Sequence, residues 1–151
     1  MCIRDSLYPS GKMDRDQQKK LSDDIKELTN GQGADVVYDP VGGDYAEPAL
    51  RATAWEGRYL VVGFAAGDIP KIPLNLALLK GCQIVGVFWG AFKGREVEAH
   101  NANVDELLKL YGDGHLKPHI SSIYSLEEGS KAISDLAERK ARGKVIVQVR
   151  E

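Results

Sequence analysis

Cysteine is scarce in this 151-residue chain, and the two present, Cys2 and Cys82, lie far apart without metal-ligand spacing. That excludes a disulfide framework and signals no zinc site, so a reduced, cytoplasmic setting is expected. Histidine is equally sparse. His115 and His119 are four apart, but Gly114 and Pro118 break any helix that could put both on one face, and His100 reads as an exposed helix residue. No local Ser-His-Asp or Cys-His arrangement points to a nucleophile, and no catalytic residue is named. No apolar run approaches the roughly 20 residues that span a bilayer, and Met1 to Ser6 lacks a secretory apolar core, so no membrane partner is expected. Charge of one sign is missing too. With a net charge of -2 and dispersed Lys and Arg, no broad basic surface exists to track a phosphate backbone, which excludes nucleic acid as a partner.

What is present is enough apolar material, 43% of the residues, for one domain with a core; the length is too short for two ordinary ones. The organising stretch is Gly33 to Gly43. Val36-Val37-Tyr38 is β-branched and aromatic with no helical period, which predicts a strand buried on both faces. Asp39-Pro40 stops it, Gly42-Gly43 allows a tight turn, and Asp44 is expected to cap a helix. A strand-loop-helix unit of this kind places a loop at a strand's carboxyl end, where ligands of open parallel sheets sit.

Taken in order, the chain opens with a short apolar piece before the turn Pro9-Ser10-Gly11. Leu21, Ile25 and Leu28 recur at helical spacing and predict an amphipathic helix from about Asp14 to Thr29, ended by Asn30-Gly31. After the organising strand, Asp44 to Glu47 has capping-box spacing for a helix running to about Ala54. Trp55-Glu56-Gly57 is expected to turn the chain into a second strand, Arg58 to Phe64, followed by a loop from Gly63 to Gly67. A short helix near Leu74 to Lys80 leads to a third strand, Gln83 to Trp89. A longer helix follows with Val97, Val104, Leu107, Leu108 and Tyr111 on one face, stopped by Gly112 or Gly114. Ile120 to Tyr124 reads as extended, Ser125 to Glu128 as a capping box, and Ile133, Leu136 and Ala137 as the stripe of the next helix. Lys144 to Val149 alternates as a last strand. Strands alternating with helices at this spacing indicate an α/β fold with a parallel, helix-covered sheet.

Four runs carry a resemblance. Gly33 to Gly43 (GADVVYDPVGG), Gly57 to Ala65 (GRYLVVGFA), Ile72 to Gly81 (IPLNLALLKG) and Ala141 to Val147 (ARGKVIV) occur in the order found in the quinone oxidoreductase branch of the zinc-free medium-chain dehydrogenase/reductase superfamily, which the chain resembles from about Leu7 to Glu151. The resemblance implies a partial Rossmann-type parallel sheet with helices on both faces, lacking the first strands. In a sheet ordered 3-2-1-4-5-6, Leu7-Tyr8 would end strand 3 and Val36 to Asp39 would be strand 4, left with an open edge. The glycine-rich dinucleotide fingerprint is missing: Gly31-x-Gly33 precedes a strand, and Gly86-x-x-x-Gly90 has the wrong spacing. Residues 1–6 are unassigned, a start foreign to the family, and residues 7–151 are expected to form a truncated dinucleotide-binding domain.

The function implied is hydride transfer from NADPH to quinones or related enones and carbonyls, with this chain supplying the carboxyl-terminal portion and inactive on its own. The alternative is a non-catalytic module acting mainly in dimerisation, a homodimer through the strand Gln83 to Trp89. By resemblance, Val41 and Gly42 would flank the cofactor, and Gly63, Phe64 and Ala65 would meet its nicotinamide side. Phe88 and Trp89 would lie near the nicotinamide amide, Gly143 and Lys144 near the other end of the same cleft, and Tyr8 and Arg139 near the 2'-phosphate of NADP. In such enzymes the chemistry comes mainly from the cofactor and its placement.

Overall fold

The computed structural model describes residues 12–138 and 140–150. These fall into two compact units, one reaching to Arg95 and the other starting at Glu96.

The first unit opens with α1, Arg15–Leu28, where Asp14 and Gln17 form a reciprocal capping box. Asn30 and Gly31 then take the left-handed conformations that end it. Its buried residue is Ser22; Leu28, expected on the apolar stripe, is exposed. α1 packs against α2, Ala46–Arg51, which follows a one-turn 3-10 segment, Gly43–Tyr45. The expected Asp44 cap does not form. Instead the Asp44 carboxylate accepts from the Met13 amide at 3.1 Å, and Glu47 pairs with Arg51 at 2.6 Å rather than reaching back.

Three parallel strands make the sheet: β1, Ala34–Asp39; β2, Thr53–Val61; and β3, Gln83–Gly86, in the order β1-β2-β3. That order matches strands 4, 5 and 6 of the expected sheet, with the outer edge of β1 unpaired among the described residues. β2 begins earlier than expected. Trp55-Glu56-Gly57 is an irregularity inside the strand, with Glu56 at φ 59, and the register steps from Ala34 opposite Thr53 to Val36 opposite Arg58. β3 is shorter than expected, because Trp89 already starts α4, Trp89–Arg95. α3, Asn75–Lys80, ends at Gly81 in the left-handed region, with the Trp55 indole lying against it.

Residues in register share a face, so Val37, Tyr59 and Ile84 point one way and Val36 and Tyr38 the other. The first face meets α2 and α3. Leu50, Ala46, Tyr59 and Leu76 form the core there, with Val37, Val61 and Ile72 packed around it. On the opposite face Val36 is 47% and Tyr38 65% exposed. Within this unit the expectation of a strand buried on both faces therefore fails: apolar composition reports the capacity to be covered, and no described element of the unit covers this side.

In the second unit, α5 (Val97–Gly112) is followed by β4 (Ile120–Ser125), α6 (Gly129–Ala137) and β5 (Lys144–Gln148). β4 and β5 pair in parallel as a separate two-stranded sheet. The α5 stripe of Val97, Val104, Leu107, Leu108 and Tyr111 is exposed. α6 buries Ala132, not Ile133 or Leu136, so its inner face is turned one residue from the expected stripe. Only half of the expected capping box exists: Glu128 accepts from the Ser125 amide at 3.4 Å, with no side-chain cap.

Candidate functional site

β1, β2 and β3 run parallel and end in register, Asp39 beside Val61 beside Gly86. Three loops, beginning at Pro40, Val62 and Val87, therefore leave one edge of the sheet, the edge at which open α/β folds bind ligands. Asp39 governs the first two loops. Its carboxylate is buried, and one oxygen accepts from the amides of Val41 and Gly42, each at 2.8 Å. The other accepts from the Tyr59 hydroxyl. Its main-chain carbonyl accepts from Val62 at 2.9 Å and Gly63 at 3.3 Å. A buried carboxylate is tolerated where donors satisfy it. Burial first, then the hydrogen bond and charge of Asp39, push the Tyr59 hydroxyl far above its ordinary 10.0, so it remains a donor.

The two loops are also bonded to each other. Ala65 donates to the Pro40 carbonyl at 3.1 Å and Ala66 to that of Val41 at 2.9 Å. Gly42 sits at φ 67, and a Cβ there would come 2.8 Å from the Phe64 ring; one on Gly63 would come 3.2 Å from the Pro40 carbonyl. Val41, Gly42, Gly63, Phe64 and Ala65 are thus brought together. The Val87 amide, 2.8 Å from the Val61 carbonyl, lays the third loop alongside. Phe88 beyond it is 79% exposed and Trp89 58%, with the Lys93 ammonium 4.7 Å from the indole centroid.

The remaining expected residues lie outside the described residues or in the second unit. Tyr8 and Arg139 lie outside the described residues. Gly143 and Lys144 belong to the second unit, at the start of β5, where a Cβ on Gly143 would collide with the His119 carbonyl and the Lys144 amide donates to that carbonyl at 2.8 Å. A local backbone reason for this glycine is therefore on hand. Sequence reasoning overlooked Asp39 and Tyr59. The signal was the Asp-Pro step closing the strand, since an aspartate there can hold the amides that follow it.

A nicotinamide dinucleotide has two kinds of end, and these loops suit one of them. The amides of Val41 and Gly42 are taken by Asp39 and that of Gly43 by the Asp68 carbonyl at 3.2 Å, so none of the three is left for a pyrophosphate. Beside Gly43 a cleft of about 370 Å³ is lined by Asp44, Glu47 and Asp68 as well as Lys71, an acidic surround that disfavours phosphate. The exposed rings of Phe64, Phe88 and Trp89 suit a flat aromatic carboxamide. Among the described residues no three His, Cys, Asp or Glu side chains gather to hold a metal.

In the second unit the Tyr124 hydroxyl donates to Asp135, fastening α6 to β4. The bond raises the pKa of Tyr124 and lowers that of Asp135, each having it as the largest cause.

Comparison with known proteins agrees with this architecture. Residues 14–147 match the family model described as zinc-binding dehydrogenase. The quinone oxidoreductase-like protein 2 homolog of Nematostella vectensis is 38% identical over 135 residues, covering 89% of this chain and 37% of that protein. A quinone oxidoreductase of Pseudomonas aeruginosa is 30% identical over 82% of this chain and 38% of its own length. Among solved structures, mycobacterial Rv1454c complexed with NADPH superposes with a TM-score of 0.77 over 94% of this chain and 42% of that one, at 22% identity, a likeness of fold. The chain spans somewhat over a third of the length of these relatives. It belongs to the zinc-binding dehydrogenase family, in the quinone oxidoreductase-like branch of the medium-chain dehydrogenase/reductase superfamily.

Proposed function

We propose that this chain is the cofactor-binding portion of an NADPH-dependent oxidoreductase that reduces quinones or related enones and carbonyls in a cytoplasmic setting, without zinc. One observation carries the reading: three loops from adjacent parallel strands meet at one sheet edge and present Phe64, Phe88 and Trp89 there. When bound, the cofactor supplies the hydride. The chain's own residues place the ring. Val41 and Gly42, held by Asp39, form one wall; Gly63 to Ala65 form the next; Phe88 and Trp89 shield the third side from water. Support for NADPH comes from the resemblance, with Tyr8, Arg139, Gly143 and Lys144 as further contacts, and from the NADPH-bound neighbour. The substrate is proposed from the quinone oxidoreductases among the relatives, and turnover would require a substrate domain beyond this chain.

The second reading is a module whose main capability is self-association. The outer edge of β3 is unpaired among the described residues and Ile84 on it is 40% exposed, which suits strand pairing between two copies through Gln83 to Gly86 and on toward Trp89. Sedimentation equilibrium with and without NADPH, beside an assay of NADPH oxidation by a quinone, separates the two. Nucleotide binding supports the reductase reading; a dimer that ignores nucleotide supports the module.

A further inference from the structure

We infer that Asp39 is a positioning residue that couples the two glycine-containing loops of the candidate site into one unit, with Tyr59 as the anchor that fixes it to the core. In its bearing on the cofactor this rests on the reading above; in its bearing on the loops it stands on the geometry alone.

Asp39 is connected in three directions at once. Its side chain holds the start of the first loop through Val41 and Gly42, its carbonyl holds the start of the second through Val62 and Gly63, and its remaining carboxylate oxygen is held by Tyr59. Tyr59 is 3% exposed, and its ring belongs to the core cluster with Ala46, Leu50 and Leu76. The anchor is therefore as rigid as the core itself. Farther out, Ala65 and Ala66 bond to carbonyls of the first loop, so the second loop's tip depends on a conformation that Asp39 sets without touching it. Gly42 and Gly43 hold φ values of 67 and 56, states a free glycine chain samples among many others. Two charge-assisted bonds that Asp39 accepts from the Val41 and Gly42 amides select the state at Gly42, and the Gly43 amide is held by the Asp68 carbonyl.

The test is amide hydrogen exchange by NMR on the chain and its Tyr59→Phe variant, which keeps the ring in the core and removes only the anchoring hydroxyl. Coupling requires exchange at Val41, Gly42, Ala65 and Ala66 to accelerate together, on the order of tenfold, while ladder amides such as Tyr59 to Val61 keep their rates. Unchanged loop rates, or equal acceleration throughout the sheet, would overturn the inference. Should Tyr59→Phe fold poorly, Asp39→Asn gives a second route: an acceptor for the two amides is retained but the charge is lost, and faster exchange at Ala65 and Ala66, which Asp39 does not contact, again marks coupling. Adding NADPH then separates the two claims. Shifts in both loops together support coupling and cofactor site alike, and shifts confined to one loop overturn coupling. No shift at all in the unmodified chain contradicts the cofactor site, while the exchange rates without nucleotide still decide the coupling.

Discussion

The Tyr59 hydroxyl donates to the Asp39 carboxylate, and that bond fastens the middle of the first unit's core to the loop at the edge of its sheet. Stability and site geometry are linked through this pair.

One consequence is an alkaline limb. The Tyr59 pKa is raised in the fold from an ordinary 10.0, so its contribution is complete below about pH 10 in the unfolded reference and is lost as pH climbs toward the raised value. Urea unfolding of the chain should show stability declining above pH 10, and Tyr59→Phe should remove most of that decline. The variant should also cost about 1–3 kcal/mol at neutral pH, because a buried carboxylate oxygen loses its donor.

Gly42→Ala should harm binding more than stability. Its φ of 67 disfavours an L side chain by about 1–2 kcal/mol, and its Cβ would displace the Phe64 ring. Denaturant midpoints and nucleotide titration on the same preparation compare the two losses.

Leu50 is fully buried in the core with Ala46, Tyr59 and Leu76. Leu50→Ala should cost about 2–5 kcal/mol through lost burial and the cavity left behind, read as a lower urea midpoint with unchanged slope.

Asp14 accepts from the Gln17 amide at 2.8 Å at the start of α1. Asp14→Ala should cost about 1 kcal/mol, and Asp14→Ser should recover most of it, as thermal unfolding would show.

Much of this architecture was legible in the chain. Periodicity located α1, α3, α5 and the three main strands, and four short runs placed them in a family whose strand order the sheet reproduces. Partners were less legible than elements. Val36 and Tyr38 read as buried because their composition permits it, yet exposure depends on what else covers the sheet. Asp44 has cap-like spacing, but the Met13 amide, distant in sequence, claims its carboxylate. Trp55 to Gly57 reads as a turn because a positive φ at Glu56 inside a strand leaves no compositional mark. The runs offered Val41, Gly42, Gly63, Phe64 and Ala65 as cofactor contacts, and the fold brings these five together at one sheet edge, whereas the Asp39–Tyr59 bond spans two strands and becomes visible only when their register is known.

The most direct measurement is titration of the chain with NADPH followed by tryptophan fluorescence, with NADH as the control. Trp89 stands at the carboxyl edge of the sheet, while Trp55 lies against Gly81. A cofactor site at that edge requires a saturable signal with a Kd near micromolar, roughly -8 kcal/mol, retained in Trp55→Phe, lost in Trp89→Phe and weaker with NADH. Absence of saturation up to millimolar NADPH would contradict a cofactor site in this chain and leave self-association through β3 as its function.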